Sequence, residues 1–272
     1  MPMSLLILVA AIQGLTEFLP VSSSGHLVLI PIVTDFPYQG RAIDVAAHVG
    51  TLIAVAVYLR AEIIAILRAL LRLGRGDEHN ARLGIMLVLA TIPVIIVGYI
   101  VNYANWYWLD MAHTLAVANL VFAAILWGAD KVPAAQHDLK QISWRHALVI
   151  GVVQICALVP GASRSGVTMS AARFLGFDRV TAARFSLLLS LPTIAGAGLL
   201  KTIDLVESGD AALGSDAVIV AVLSAVLAWL AIRWMMGWLA VASFGIFVYY
   251  RLVLGGLLLL ALTQGWIAPS IT

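Results

Sequence analysis

The apolar positions of this chain come in long unbroken runs rather than in alternation. Leu83 to Val101 contains no charged residue at all. A helix that crosses a bilayer needs about 20 predominantly apolar residues. Six segments meet that length: about 43–60, 83–101, 111–128, 184–203, 217–236 and 239–262. A transmembrane barrel would instead alternate apolar and polar residues over about ten positions. The pattern predicts an all-α polytopic membrane protein with six transmembrane helices.

Two further segments, 3–30 and 145–176, are apolar at both ends and interrupted in the middle. The first interruption is Pro20-Val21-Ser22-Ser23-Ser24-Gly25; the second is Pro160-Gly161-Ala162-Ser163-Arg164-Ser165-Gly166. Each half is too short to cross. We read both segments as re-entrant helix–loop–helix hairpins, since broken backbone at membrane depth is tolerated where protein or a water-filled cavity satisfies it. Two kinked spans are the alternative.

Composition narrows the class. The 272 residues are 62% hydrophobic and 11% charged, against about 45–50% and about 25% in soluble domains. So little charge cannot cover a water-facing surface, which excludes a soluble enzyme and disorder alike. The net charge of +2 gives no sign of a nucleic-acid partner. The lone Cys156 excludes an internal disulfide and a cysteine metal cluster. The first residues do not read as a cleaved leader, because no Lys or Arg precedes the apolar stretch and Gln13 and Glu17 follow at once.

The basic residues sort the loops. With six crossings and two re-entrant turns, segments 60–82, 129–145, 173–184 and 233–238 fall on one side and carry twelve Lys and Arg. The other side carries two, Arg41 and Lys201. The positive-inside rule makes the first side cytoplasmic and both termini periplasmic. Reading either hairpin as a full span would scramble this sorting. Tyr103, Trp106, Tyr107 and Trp108 then form an aromatic girdle on the outer face. Two arginines remain within apolar surroundings, Arg164 and Arg251, and a membrane-embedded Arg is costly enough to demand a role. For Arg251 a buried acid or carbonyl partner is one reading and a functional role the other.

The interrupted segments resemble each other. Gln13 and Gln154 are 141 residues apart, as are Ser22-x-Ser24-Gly25 and Ser163-x-Ser165-Gly166. The chain reads as one integral membrane domain, 1–272, of two halves, about 1–128 and 145–262, each a hairpin followed by three spans. Three is odd, so the second half is inverted, and the two tips meet near the midplane.

The tips carry the chemistry. Gln13 and Glu17 share a helix face, Pro20 ends that helix, and Ser22, Ser23, Ser24, Gly25 and His26 open the next. Serine capping explains one of these hydroxyls but not an acid at membrane depth. The second tip offers Ser163, Arg164, Ser165 and Thr168, with Gly161 and Gly166 permitting close backbone approach and a helix beginning near Gly166 whose positive end faces the same way. The planar guanidinium of Arg164 suits phosphate. We expect an anion site for phosphate or diphosphate here.

Gln13-x-x-x-Glu17 with Ser22-Ser23-Ser24-Gly25-His26, followed by Pro160-Gly161-Ala162-Ser163-Arg164-Ser165-Gly166-Val167-Thr168, resembles the bacterial undecaprenyl-diphosphate phosphatases of the bacitracin-resistance type. The resemblance runs over essentially the whole chain, and the second motif is the more specific. It implies hydrolysis of undecaprenyl diphosphate to the monophosphate and phosphate. That reaction recycles the lipid carrier of cell-wall synthesis and confers bacitracin resistance. It also implies a site in the bacterial inner membrane, open to the periplasmic side, and often a divalent cation, Mg²⁺ or Ca²⁺, with Glu17 as its ligand. Gln13 stands where many members carry Glu, which weighs against a metal held by two carboxylates.

On that basis Arg164, Ser163, Ser165, Gly166 and Thr168 hold the diphosphate. Ser23 or a water attacks, Glu17 is the general base, and His26 is an alternative base or the acid for the leaving group. Gln13, Ser22, Ser24, Gly25 and Gly161 support them. The partners are the polyprenyl diphosphate and membrane lipids; the oligomeric state, a homo-oligomer included, is left open. A transporter or flippase of an anionic lipid-linked substrate is the rival reading. A phosphatidic-acid-type phosphatase is disfavoured because no Arg-Pro occurs. Asp44 and His48, one helical turn apart, either extend the site or satisfy each other, and we expect the latter.

Overall fold

The computed structural model describes residues 1–34, 36, 38–72, 76–104, 111–135, 138–207 and 214–268. Among them it is helical and has no strand. Six helices are long and apolar enough to cross a membrane: α3 (Arg41–Tyr58), α5 (Glu78–Ala104), α6 (Ala112–Asp130), α9 (Arg179–Glu207), α10 (Ser215–Val241) and α11 (Gly245–Thr263). These are the six expected segments, with ends shifted by a few residues. Along α5, Ile85, Val88, Ile92 and Ile96 form an exposed stripe made wholly of hydrophobic side chains. An apolar stripe of that length facing outward belongs against lipid.

Both interrupted segments are broken helices. α1 (Met3–Thr16) and α2 (Ser23–Val33) flank the first loop. α7 (Trp144–Gln154), extended by a 3₁₀ turn over Ile155–Leu158, and α8 (Arg164–Phe174) flank the second. α8 begins two residues earlier than expected: Ser163 caps it, its Oγ accepting from the Gly166 amide at 3.2 Å. Ser22 and Ser163 have φ of 73° and 70°, and they are the only non-glycine residues with positive φ among the described residues. Each such conformation costs about 1–3 kcal/mol and persists where the surroundings hold it.

One element was not foreseen. The segment 60–82, read as a charged loop, contains α4 (Arg60–Leu71). Ile66 and Ala69 are buried, with Ile63 and Leu70 packed beside them, while Arg68, Leu71 and Arg72 stay exposed.

The helices approach closely because small residues face each other. A Cβ on Gly50 of α3 would lie 2.1 Å from the Ala221 carbonyl oxygen of α10, so the two backbones touch, as small interfaces allow in membranes. Ion pairs gather the ends. Arg184 reaches Glu62 at 2.6 Å and Arg179 reaches Asp130 at 2.6 Å. The Met1 ammonium meets Asp216 at 2.6 Å. The first two join segments expected on one side of the membrane, and the third joins segments expected on the other. Arg75, Trp106, Tyr107 and Trp108 lie outside the described residues.

Candidate active site

The two loops meet, and Glu17 is where they do. It caps the C-terminal end of α1, one turn after Gln13. Its Oε2 accepts from Ser23 Oγ at 2.6 Å and from Gln13 Nε2 at 2.9 Å. Its Oε1 accepts from Arg164 at 2.9 Å. The Glu17 and Arg164 side chains are 8% and 13% exposed, so this is a buried, charge-assisted pair. A cavity of about 220 Å³ opens beside it, its polar end lined by Glu17, Ser22, Ser23, Ser24, Ser163 and Arg164.

The remaining expected residues stand behind this surface. Ser165 Oγ donates to the Leu19 carbonyl at 2.8 Å, tying the second loop to the first. Thr168 Oγ1 donates to the Arg164 carbonyl at 2.9 Å and meets Ser186 Oγ at 2.7 Å. Gly161 has φ of +91° and leaves no room for a side chain, since a Cβ there would lie 2.3 Å from the Leu115 carbonyl oxygen. Gly25 and Gly166 are likewise buried. His26 has both ring nitrogens engaged: Nδ1 lies 2.6 Å from the Ser22 carbonyl and Nε2 2.5 Å from Tyr250 Oη. A carbonyl can only accept, so Nδ1 carries the proton, and in the neutral ring Tyr250 donates to Nε2. His26 is not among the residues lining the cavity.

His48 lines the cavity instead. Asp44 and His48 do not satisfy each other as expected. The Asp44 carboxylate accepts from Tyr38 and from Gln39, each at 2.7 Å, and burial together with this carboxylate pushes the Tyr38 phenol pKa up. His48 Nδ1 donates to the Asp44 backbone carbonyl at 2.8 Å, which leaves Nε2 directed at Glu17 Oε2, 3.9 Å away. The i, i+4 spacing flagged the pair; only the orientation of α3 shows which member faces Glu17.

Arg251 is the second residue whose place the sequence left open. It is fully buried. It donates to the Asn119 side chain at 3.0 Å, to the Pro20 carbonyl at 3.3 Å, and to the Gly161 and Ala162 carbonyls at 2.8 and 3.0 Å. It thus holds both loops from beneath, through carbonyls rather than an acid.

Among the described residues no group of three His, Cys, Asp or Glu could hold a metal ion. Glu17 has both oxygens already engaged. The donor set therefore suits only a cation that arrives with its substrate, bound by one carboxylate and by phosphate oxygens as Mg²⁺ commonly is.

Residues 6–257 match the family described as bacitracin resistance protein BacA. The chain is 45% identical over 260 residues to an undecaprenyl-diphosphatase of Roseobacter denitrificans, covering 93% of this chain and 96% of that one. It is 42% identical over 261 residues to an undecaprenyl-diphosphatase of Chromohalobacter salexigens, covering 95% and 97%. A third, from Dinoroseobacter shibae, is 44% identical over 261 residues, covering 94% and 97%. A match that spans nearly the whole chain and includes both loops places this protein in the bacitracin resistance protein BacA family.

Proposed function

We propose that the chain is a multi-pass membrane enzyme that hydrolyses undecaprenyl diphosphate to undecaprenyl phosphate and phosphate, sparing the cell from bacitracin. One observation carries the mechanism: Ser23 Oγ donates to a carboxylate whose other oxygen is held by Arg164. A carboxylate so placed takes the serine proton as Oγ attacks the terminal phosphorus. The Oγ–P bond forms, the bridging P–O bond breaks, and undecaprenyl phosphate leaves. Glu17 hands that proton to the departing undecaprenyl phosphate and is a carboxylate again. Water then attacks phospho-Ser23 as Glu17 takes a proton from it, and the Oγ–P bond breaks as Glu17 returns that proton to Ser23 Oγ and phosphate departs.

Arg164, Ser163 and the start of α8 supply the donors where charge builds. Ser165, Gly166 and Thr168 hold those donors in place. A divalent cation entering with the diphosphate would be bound by Glu17 and would neutralise phosphate charge; no step above depends on it. Direct attack by water is the variant without a covalent intermediate. Rapid quench followed by peptide mass spectrometry tests between them. The serine route yields phospho-Ser23, and full activity in Ser23→Ala would end it.

The same reading makes the broken segments re-entrant hairpins of an inverted repeat, 1–128 and 145–262. The matching φ of Ser22 and Ser163, and the complete burial of both Gln13 and Gln154, support it. It places the protein in the bacterial inner membrane with both termini and the cavity mouth on the periplasmic side. The sorting of basic residues supports this. A carrier for a lipid-linked anion could use the same cavity, but transport needs no serine hydrogen-bonded to a carboxylate.

A further inference from the structure

The cavity beside Glu17 has a second, apolar end, lined by Val94 of α5, Leu158, and Ile194, Ala197 and Gly198 of α9. Its total of about 220 Å³ is below the roughly 300–1,000 Å³ of sites that enclose a drug-sized ligand. It has room for a diphosphate and the first carbons attached to it, and an undecaprenyl chain must leave sideways. Neighbouring residues on the same two helices line an apolar groove: Ile95, Ile96, Tyr99 and Ile100 of α5 with Gly196 and Leu199 of α9. Ile96, Ile100 and Leu199 are exposed, so the groove faces lipid. Chamber and groove adjoin in sequence on both helices, at Val94–Ile95 and at Gly196–Ala197. Ile95 rests on Gly196 there, and a Cβ added to Gly196 would come within 2.8 Å of Ile95 Cδ1.

We propose that the isoprenoid tail of the substrate passes between α5 and α9 at Gly196–Gly198 and lies in the groove beyond. The proposal rests on the hydrolytic reading above and adds the path of the tail. Charge at one end and an uncharged wall at the other fit an amphiphile whose head is anionic. The seam then sets affinity for long chains without touching the reacting atoms, because tail contacts are equal in ground and transition states.

Ile96 and Leu199 offer the test, since they line the groove and not the chamber. The full-length protein in detergent micelles is assayed for phosphate release from undecaprenyl diphosphate and from dimethylallyl diphosphate, whose single isoprene unit stays inside the chamber. Ile96→Trp and Leu199→Trp, singly and together, are compared with Gly256→Trp on α11, where a Cβ meets nothing. The double variant should raise KM for the long substrate by about tenfold, with the single ones between, and leave kcat/KM for the short one within about twofold. Gly256→Trp should change neither. An unchanged KM for the long substrate, or an equal loss for both, overturns the tail path. Failure of the hydrolytic reading itself would show earlier, as wild-type protein releasing phosphate from neither substrate.

Discussion

Glu17 and Arg164 lie 147 residues apart in sequence and 2.9 Å apart in space. Either charge buried without the other would be costly; together they join the two broken segments and present a cavity with a serine already hydrogen-bonded to the acid.

Removing the cation should be severe. Arg164→Ala takes away the main donor for the terminal phosphate and leaves Glu17 buried without its partner. Loss of one such electrostatic donor costs about 100- to 1,000-fold in kcat, to be read as phosphate release at saturating substrate. Arg164→Lys should recover little, since a point charge cannot replace the planar fork.

Removing the base should act on the same step. Glu17→Gln keeps size and a hydrogen-bond acceptor but cannot take a proton, and should lower kcat by about 100- to 10,000-fold. The double variant with Arg164→Ala should be far less than additive, as expected for residues in one network. Additive losses would show that the two act separately.

The two histidines should separate. Tyr250→Phe removes one neutral hydrogen bond to His26, worth about 1 kcal/mol, and activity should stay within a few-fold because His26 does not line the cavity. His48→Ala should lower kcat by more than Tyr250→Phe, since Nε2 of His48 faces Glu17 at 3.9 Å. Equal kcat in the two variants would contradict that division.

Arg251→Leu should destabilise the fold before it affects chemistry. Each buried carbonyl left unpaired costs about 1–3 kcal/mol, and Pro20, Gly161 and Ala162 would all be left so. A fall in the midpoint of thermal unfolding, with a matching loss of activity, is the expected result. Gly161→Ala should do likewise, through its positive φ and the Leu115 carbonyl.

Much of this was legible in the chain. The six spans are readable because so little charge interrupts them, and the broken helices because Pro, Gly and Ser cluster in otherwise apolar runs. Glu17 and Arg164 stood out because charge is scarce. What stayed hidden needed orientation. In α11 nearly every position is apolar, so periodicity offers no contrast between the core face and the lipid face, and Arg251 could be noticed but not placed. His48 could be noticed by its spacing from Asp44, but which of the two faces Glu17 depends on how α3 is turned. α4 escaped for the opposite reason. Its arginines drew attention away from Ile63, Ile66 and Leu70, which pack it against the bundle.

The central claim is that the meeting of Glu17, Ser23 and Arg164 is a hydrolytic centre. The most direct test is phosphate release from undecaprenyl diphosphate by the purified protein in detergent, where transport has no meaning. The account predicts turnover by the wild-type chain and its loss, by about 100-fold or more, in Arg164→Ala. A wild-type protein that binds the lipid without releasing phosphate, or an Arg164→Ala variant with near-normal turnover, would contradict it.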